Sequence, residues 1–382
     1  MKKICFVLSA SNTFGANGAL IELLETLDRK DFQLYAILPS KGPITEKLKS
    51  LNIPFEVYPY KWWMRPESQS ISRTAIKSIL SFFVLPFVVL RIFRWQCDLV
   101  YSNTIVIGTG LMAAAILKKP HIFHIHEFGY WDHKLIFNFG KKTTLKLSNR
   151  FSKKFIFISR AVEREYSSFV DKSKSVVIYQ SVTLPKKVCF QPILEKHSFQ
   201  LAIVGRIFPS KGQEDAVRAV SVLANNGMDV GLWIVGDGDK KYKDQLNNLI
   251  ETFHLSEKVL LCGFSDEPSG YVRAADVFLM CSKNEAFGRV TVEAMKCGVA
   301  VIGTDSGATP EIIHDKKNGL LYPAGDWKML AQRIQYLMEN KNIKNALARN
   351  GLHDANFIYD RSKYATAVTD VLESSLSSKN AI

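Results

Sequence analysis

The segment from Asp276 to Met295 restricts the fold more than any other part of the chain. An apolar strand, Asp276 to Met280, breaks into a polar loop and restarts as a helix, with Glu285 before the restart and Glu293 after it. A strand-loop-helix joint of this kind belongs to α/β architecture. It points backbone N–H groups and the positive end of a helix dipole at whatever lies above the sheet edge, which makes a seat for phosphate. Two carboxylates beside it suit the donating hydroxyls of a ribose and a sugar. Phosphate flanked by hydroxyls describes a nucleotide sugar. The competing reading is any α/β unit whose glutamates face water, and the rest of the C-terminal half decides between them.

Short apolar runs alternate with helical stretches along the whole chain. Ile4–Ser9, Phe32–Leu38, Leu99–Ser102, His121–His126, Phe155–Ser159 and Ser175–Tyr179 read as strands, with a helix from about Ala19 to Leu27. The pattern loosens around Thr183-Leu184-Pro185-Lys186-Lys187, a linker signal. A second set follows, with strands at Gln200–Val204, Val230–Val235, Lys258–Cys262, Asp276–Met280 and Val299–Ile302, and helices such as Gln213–Asn225 and Lys240–Phe253. Buried apolar strands alternating with helices predict parallel sheets covered on both faces. The expected organisation is one domain over 1–185, a second over 197–357 and a C-terminal helix over 358–382. Ligands of open α/β sheets bind above the strands' carboxyl ends.

Charge separates the halves. Residues 1–186 hold 27 Lys and Arg against 13 Asp and Glu, a balance of +14, whereas 187–382 hold 23 against 23. The first half therefore suits an anionic partner: membrane headgroups, a phosphorylated acceptor or nucleic acid. No helix-turn-helix, zinc-finger or RNP-like signature supports the last. The six cysteines (Cys5, Cys97, Cys189, Cys262, Cys281, Cys297) form no C-x-x-C pair and read as buried thiols of a reducing compartment. Met1 to Ser9 reads as a first buried strand, because its apolar core is too short for a signal peptide, and the chain is expected in the cytoplasm.

Ile76–Trp95 carries a long apolar body interrupted by Pro86, with Lys77 at one end and Arg91 and Arg94 at the other. Burial on the sheet, a position in the membrane surface and a true span all remain open. The upstream Tyr58, Tyr60, Trp62 and Trp63, mixed with Lys61 and Arg65, favour contact with headgroups.

Further residues bear on chemistry. After the strand ending at Val204 come Gly205, Arg206 and Lys211-Gly212, placing two cations over the sheet edge. A departing diphosphate needs such neutralisation. The loop Ser9 to Ala19 follows the first strand and opens a helix. It lacks a full G-x-G-x-x-G and a Walker lysine, so Gly15 and Gly18 are read as allowing backbone to approach a sugar or diphosphate. His124 and His126 share a strand face and Glu127 points away; His126 is read as hydrogen-bonding a sugar, with no metal site formed. Asp237-Gly238-Asp239 reads as a turn rather than a metal-binding D-x-D.

Assembled, these pieces resemble the family-4 glycosyltransferases of the GT-B fold: two Rossmann-like domains facing each other across a deep cleft. The E-x7-E spacing of Glu285 and Glu293 within NEAFGRVTVEAMKCGVAVIGTDSGATPEII carries most of the likeness, with the Gly205-Arg206…Lys211-Gly212 loop and Gly319-Leu320-Leu321 behind it. The resemblance implies that Arg206 and Lys211 hold phosphates, Glu293 the ribose, and Glu285 with the Phe287 and Gly288 backbone the donor sugar, while Gly263 and Phe264 meet the base. It implies retention of configuration, no metal and no cofactor beyond a UDP- or GDP-sugar as co-substrate. Asp360 to Ser375 would cross back to the first domain. One departure is Gly307-Ala308 in place of a Gly-Gly pair, since alanine resists a positive φ.

The expected activity is retaining sugar transfer to an acceptor hydroxyl, with a lipid-linked saccharide of bacterial surface polysaccharide or lipopolysaccharide assembly as acceptor. The enzyme is expected at the inner face of the cytoplasmic membrane, held through its basic N-terminal half. The rivals are a nucleotide-sugar epimerase of the same architecture, a basic nucleic-acid-binding protein, and a subunit that binds nucleotide sugar without turnover.

Overall fold

In a computed structural model the described residues are 1–184 and 197–377, with only the backbone described at 71–73 and 75–77. Pro185 to Lys187 of the linker signal and Cys189 lie outside them. Two compact units are present, Met1–Ser181 together with the chain from Arg361, and Val182–Asp360.

The first unit holds strands β1 (Lys2–Leu8), β2 (Phe32–Leu38), β3 (Phe55–Val57), β4 (Met64–Pro66), β5 (Leu99–Asn103), β6 (His121–Ile125), β7 (Leu135–Phe137), β8 (Lys154–Phe157) and β9 (Ser175–Val177). Its helices are α1 (Ala16–Thr26), α2 (Pro43–Ser50), α3 (Ile71–Trp95), α4 (Thr109–Ile116), α5 (Tyr130–His133), α6 (Lys141–Phe151) and α7 (Arg160–Tyr166). Seven strands pair in parallel in the order β3-β2-β1-β5-β6-β8-β9, while β4 and β7 form a small antiparallel ladder. Every residue of β5 and β6 is buried, and polar side chains among them are paired, Ser102 with His121 at 2.8 Å and Tyr101 with His124 at 2.6 Å.

The second unit holds β10 (Phe199–Val204), α8 (Gln213–Asn225), β11 (Val230–Val235), α9 (Lys240–Thr252), β12 (Val259–Gly263), α10 (Pro268–Ala274) and β13 (Val277–Met280). It continues with α11 (Arg289–Lys296), β14 (Ala300–Thr304), α12 (Thr309–Ile312), β15 (Leu320–Tyr322), α13 (Trp327–Glu339) and α14 (Lys341–Ile358). Its sheet is parallel in the order β12-β11-β10-β13-β14-β15. The order reverses beside the first strand of each sheet, between β1 and β5 and between β10 and β13. At such a point the connections leave in opposite directions and open a crevice at the strands' carboxyl ends.

The last helix, α15 (Arg361–Ser377), packs on α1 in the first unit. Its Tyr364, Ala365, Val368 and Leu372 enter the same apolar core as Leu20, Leu23 and Leu24 of α1. Arg361 fixes the start of the helix, donating to the Glu22 carbonyl at 3.2 Å and to Glu25 Oε2 at 2.6 Å.

Burial of α3 on the sheet, one of the three open placements, is not what the structure shows. Between Ser78 and Trp95 only Val88 and Ile92 are buried; the other side of the helix faces outward. This window has a mean hydropathy of 1.7, and α3 is long and apolar enough to cross a membrane. Cys5, Cys97 and Cys281 are buried free thiols, and burial pushes Cys281 up to about 12.

Because Leu372 is wholly buried, Leu372→Ala should destabilise the first unit by about 2–5 kcal/mol, read by urea denaturation. A change below 0.5 kcal/mol would show that α15 is not part of that core.

Candidate active site

The second unit's strand-order reversal brings two loops together. One runs from Gly205 to Gly212 after β10, the other from Cys281 to Gly288 after β13. Close approach is possible because residue 212 has no side chain: a Cβ there would lie 2.0 Å from the Cys281 carbonyl oxygen, and its φ of +69° already disfavours other residues. The Lys283 amide donates to the Ser210 carbonyl at 3.0 Å, tying the loops again. From below, Thr304 and Ser306 hydroxyls donate to the Ser282 and Lys283 carbonyls at 2.6 and 2.7 Å.

On this frame the Lys211 ammonium donates to Glu285 Oε2 at 2.8 Å, with both side chains largely covered. The structure therefore brings together a cation and a carboxylate 74 residues apart. Arg206 stands on the same loop as Lys211, its guanidinium 5.0 Å from the centre of the Phe208 ring. Gly205 leaves β10 with open space at its missing Cβ.

Gly288 caps α11, whose first turn contains Arg289 and no acid. The neighbouring α8 differs, because Glu214 and Asp215 occupy its first turn and answer its dipole internally. Of these two helix N-termini, that of α11 is the one left for an external anion. Glu293 lies half-buried on α11, one turn beyond Arg289. Phe287 is buried edge-on against Tyr359, centroids 5.6 Å apart, so its side chain is structural and its backbone is what the site presents. At the end of β12, Gly263 is followed by a largely exposed Phe264.

The departure at Ala308 brings no backbone strain. Ala308 sits at φ −91°, ψ −3°, an ordinary right-handed conformation, and Gly307 alone takes the positive φ of +57°. A Cβ on residue 307 would meet the Glu285 backbone at 2.6 Å, while the Ala308 amide donates to the Glu285 carbonyl at 2.8 Å. One glycine therefore suffices to hold Glu285 from behind. Lys283, immediately before the motif and given no role from sequence, faces buried Asp215 and adds a further cation at this edge.

In the first unit, Gly15 and Gly18 flank the start of α1 at the end of β1, and His126 follows β6. His126 is buried, with Nε2 2.9 Å from Asn103 Oδ1 and Nδ1 2.5 Å from Gln180 Nε2. This pairing fits a neutral ring whose Nε2–H donates. Asn103 in turn donates to Asn17 Oδ1 at 3.3 Å, so a polar chain runs from the first turn of α1 to Gln180. Sequence reasoning missed Asn17, Asn103 and Gln180; an amide at the last position of a buried strand, Asn103, was the available signal. The Glu127 carboxylate accepts from the Ile105 amide at 2.8 Å and from the His126 backbone amide at 3.2 Å. Burial and the nearby Asp132 push its carboxyl up to about 8. Burial lowers His121 and His124 to about 3. Among the described residues no group of three or more His, Cys, Asp or Glu is placed to hold a metal ion. Asp239 caps α9 and Asp237 pairs with Lys243, while Gly238 between them forms a parallel bridge with Ile207 instead of the expected turn.

The second unit thus combines a parallel sheet with a reversal point, a helix start without acids and a paired Lys and Glu at one sheet edge. Solved structures share this fold: Anabaena HepE in complex with UDP covers 98% of this chain and 100% of its own, with TM-score 0.78 and 24% identity. This is the GT-B architecture.

Residues 189–354 match the model of the family described as glycosyl transferases group 1. An uncharacterized glycosyltransferase of Methanocaldococcus jannaschii is 29% identical over 256 residues, 66% of this chain and 69% of its own length. The N-acetylgalactosamine-N,N'-diacetylbacillosaminyl-diphospho-undecaprenol 4-alpha-N-acetylgalactosaminyltransferase of Campylobacter jejuni is 31% identical over 181 residues, 46% of this chain. The match spans about half the length of that relative, 48%.

Two outcomes test this geometry. Gly212→Ala should cost about 3 kcal/mol, since it adds a backbone collision to a positive φ. Gly227→Ala, at a similar φ of +76° but in open space, should cost about 1 kcal/mol. Equal losses on chemical denaturation would mean the loop contact is not tight. Between pH 6.5 and 8 the folded Glu127 keeps a proton that an unfolded carboxyl has lost, so the first unit loses stability as pH rises through this window. Glu127→Gln should remove that slope, at most about 1.4 kcal/mol per pH unit. A slope unchanged in the variant would place the titration elsewhere.

Proposed function

We propose that the chain moves a sugar from a nucleoside-diphosphate sugar to an acceptor hydroxyl with retention of configuration and without a metal ion. The observation that carries this is the Lys211–Glu285 pair, set 2.8 Å apart where the second sheet reverses its strand order. An ammonium and a carboxylate at one sheet edge meet the two needs of such a donor, charge neutralisation on the diphosphate and acceptors for the sugar hydroxyls.

In this reading Arg206 and Lys211 stabilise the departing diphosphate, with the start of α11 at Gly288 giving backbone N–H groups to it. Glu285 orients the donor sugar, the Phe287 and Gly288 backbone lies beside it, and Glu293 takes the ribose. Gly205, Gly263 and Phe264 border the nucleotide, Phe264 offering an exposed ring to the base. Lys211 is paired in the structure, so donor binding shares its charge between phosphate and Glu285 and keeps both groups in place. In the first unit Gly15 and Gly18 leave room for a sugar or phosphate to approach, and His126, held by Asn103 and Gln180, is presented in one tautomer. The C1–O bond to diphosphate breaks as a new C1–O bond forms to the acceptor oxygen on the same face, and the acceptor proton passes to a leaving phosphate oxygen.

The acceptor is proposed to be a lipid-linked saccharide of surface polysaccharide or lipopolysaccharide assembly, used at the inner face of the cytoplasmic membrane. The diphospho-undecaprenol substrate in the name of the Campylobacter relative and the basic first half support this choice. UDP bound to the structurally similar Anabaena protein makes UDP-sugars the first donors to try. The charge balance of the second half and its loop geometry favour this reading over nucleic-acid binding, and the E-x7-E joint favours it over epimerisation.

Lys211→Ala should lower kcat by about 10²–10³ while changing stability by less than about 1 kcal/mol, because the pair is partly exposed. Turnover is followed as nucleoside diphosphate released from a panel of nucleotide sugars with acceptor present. Unchanged turnover would remove Lys211 from the reaction, and epimerised donor without acceptor would establish the rival chemistry.

A further inference from the structure

The outer side of α3 has no role in the donor site. Along it Ile79, Phe82, Phe83, Phe87, Leu90 and Phe93 recur at helical spacing and face outward. The four phenylalanines are 72%, 66%, 62% and 66% exposed. Val88 and Ile92, on the opposite side, are fully buried, and α3 is packed against α4. Leaving that packing to span a membrane would expose this inner side, so the helix stays on its domain. Its outward side and Ile116 and Leu117 at the end of α4 border an apolar groove of about 440 Å³. A continuous apolar surface of this size on a water-facing helix calls for a covering partner.

A second observation says which partner. Helix α4 also touches α6, so α3, α4 and α6 are neighbours. These three helices contain eight Lys or Arg and not one Asp or Glu, Arg91 and Lys141 pairing with Glu56 and Glu165 outside them, and Lys118 and Lys119 follow α4 directly. On α6 the exposed Lys142, Lys146 and Arg150 form one stripe at a spacing of four. Beside it runs an apolar stripe of exposed Phe139, Leu147 and Phe151. Arg94 is exposed near the end of α3. A protein partner matched to a single-sign rim would have to be strongly acidic around an apolar centre. An anionic bilayer offers both properties at once, acyl chains beneath a sheet of phosphates.

We propose that the α3–α4–α6 face is a membrane-docking surface, with α3 lying in the plane of an anionic lipid interface and the α6 lysines and arginine on the headgroups. The surface reaches the sheet edge. The Lys61 amide donates to Ser81 Oγ on α3 at 2.8 Å, and the next residue, Trp62, donates from its indole to the Ser9 carbonyl at the end of β1 at 2.8 Å. Docking there sets the loop that opens α1 beside the lipid surface, where a lipid-linked acceptor would present its saccharide. This purpose rests on the glycosyl-transfer reading; the docking itself does not.

The test is flotation of the full chain with phosphatidylcholine vesicles, with and without about a third phosphatidylglycerol, at 0.1 M salt, alongside a UDP-induced shift in melting temperature. The expected result is flotation with the anionic vesicles, reduced on the order of a hundredfold by Lys142→Gln/Lys146→Gln/Arg150→Gln and at least as much by Phe82→Ser/Phe87→Ser/Phe93→Ser. The UDP response of both variants should equal that of the parent, showing that they are folded. No flotation, or flotation surviving both sets of substitutions, overturns the proposal. A lipid-free dimer dispersed by the phenylalanine substitutions also overturns it, since a second copy would then cover the face. Loss of the UDP response from the parent chain, with flotation intact, would count against the donor reading and leave the docking surface standing.

Discussion

One missing methyl group underlies the candidate site. The loops after β10 and β13 meet where residue 212 would otherwise drive a Cβ into the Cys281 carbonyl, and that contact sets the distance between everything the two loops carry. Lys211 precedes the contact on one loop and Glu285 follows it on the other, so their ion pair depends on the backbone approach rather than creating it. A partly exposed pair contributes on the order of 1 kcal/mol or less, too little to hold two loops against strain. Backbone fit is therefore the cause and the charge pair its consequence. The same logic runs through Gly307, whose bare Cα lets the chain pass behind Glu285 and support it with an amide.

This order of causes bears on chemistry. Stabilising charge that develops on a leaving group requires donors fixed before the charge appears, because reorganisation during the reaction would cancel the gain. Loops cross-tied by the Lys283 amide and by the Thr304 and Ser306 hydroxyls satisfy that requirement, whereas long side chains on free loops would not. The contrast between α8 and α11 adds direction. Glu214 and Asp215 answer the dipole of one helix, and the other begins with no acid, so an arriving anion finds one attractive helix end of the two.

Much of the fold is legible in sequence because parallel strands buried on both faces leave continuous apolar runs; Val230–Val235 and Gln213–Asn225 coincide with β11 and α8 to the residue. Strands of three residues, such as β3, β4 and β7, carry too few positions for any pattern to emerge. Alternation placed His124 and His126 on one face, and their rings lie 4.0 Å apart. It could not show that Asn103 and Gln180, 23 and 54 residues away, take both His126 nitrogens. The Lys211–Glu285 pairing has the same character, since both residues stand out in the motifs but their contact is a property of strand order. For α3 the obstacle is different. Composition reports that a helix is apolar, yet burial depends on how many sides have neighbours, and α3 has them on one side only.

The two units share an architecture and divide the charge unevenly, and the location of the surplus is informative. In the balanced second half, cations stand at the strand ends, as Arg206, Lys211 and Lys283 do, where a small anionic ligand would be held. In the first half, which carries the whole excess of +14, the loop from Ser9 to Gly18 contains no lysine or arginine, nor does His126 to Tyr130. Its surplus instead includes the stripe on α6 and the lysines after α4, away from the carboxyl edge of the sheet and bordered by exposed phenylalanines. A field meant to capture a soluble phosphate would concentrate at the mouth of the sheet, where the ligand reacts. One spread along helices with an apolar centre acts over an area, attracting a charged surface at long range and burying hydrocarbon on contact. Under the proposed readings the surplus in the first unit suits an extended lipid surface, while the local cations of the second suit a small diphosphate.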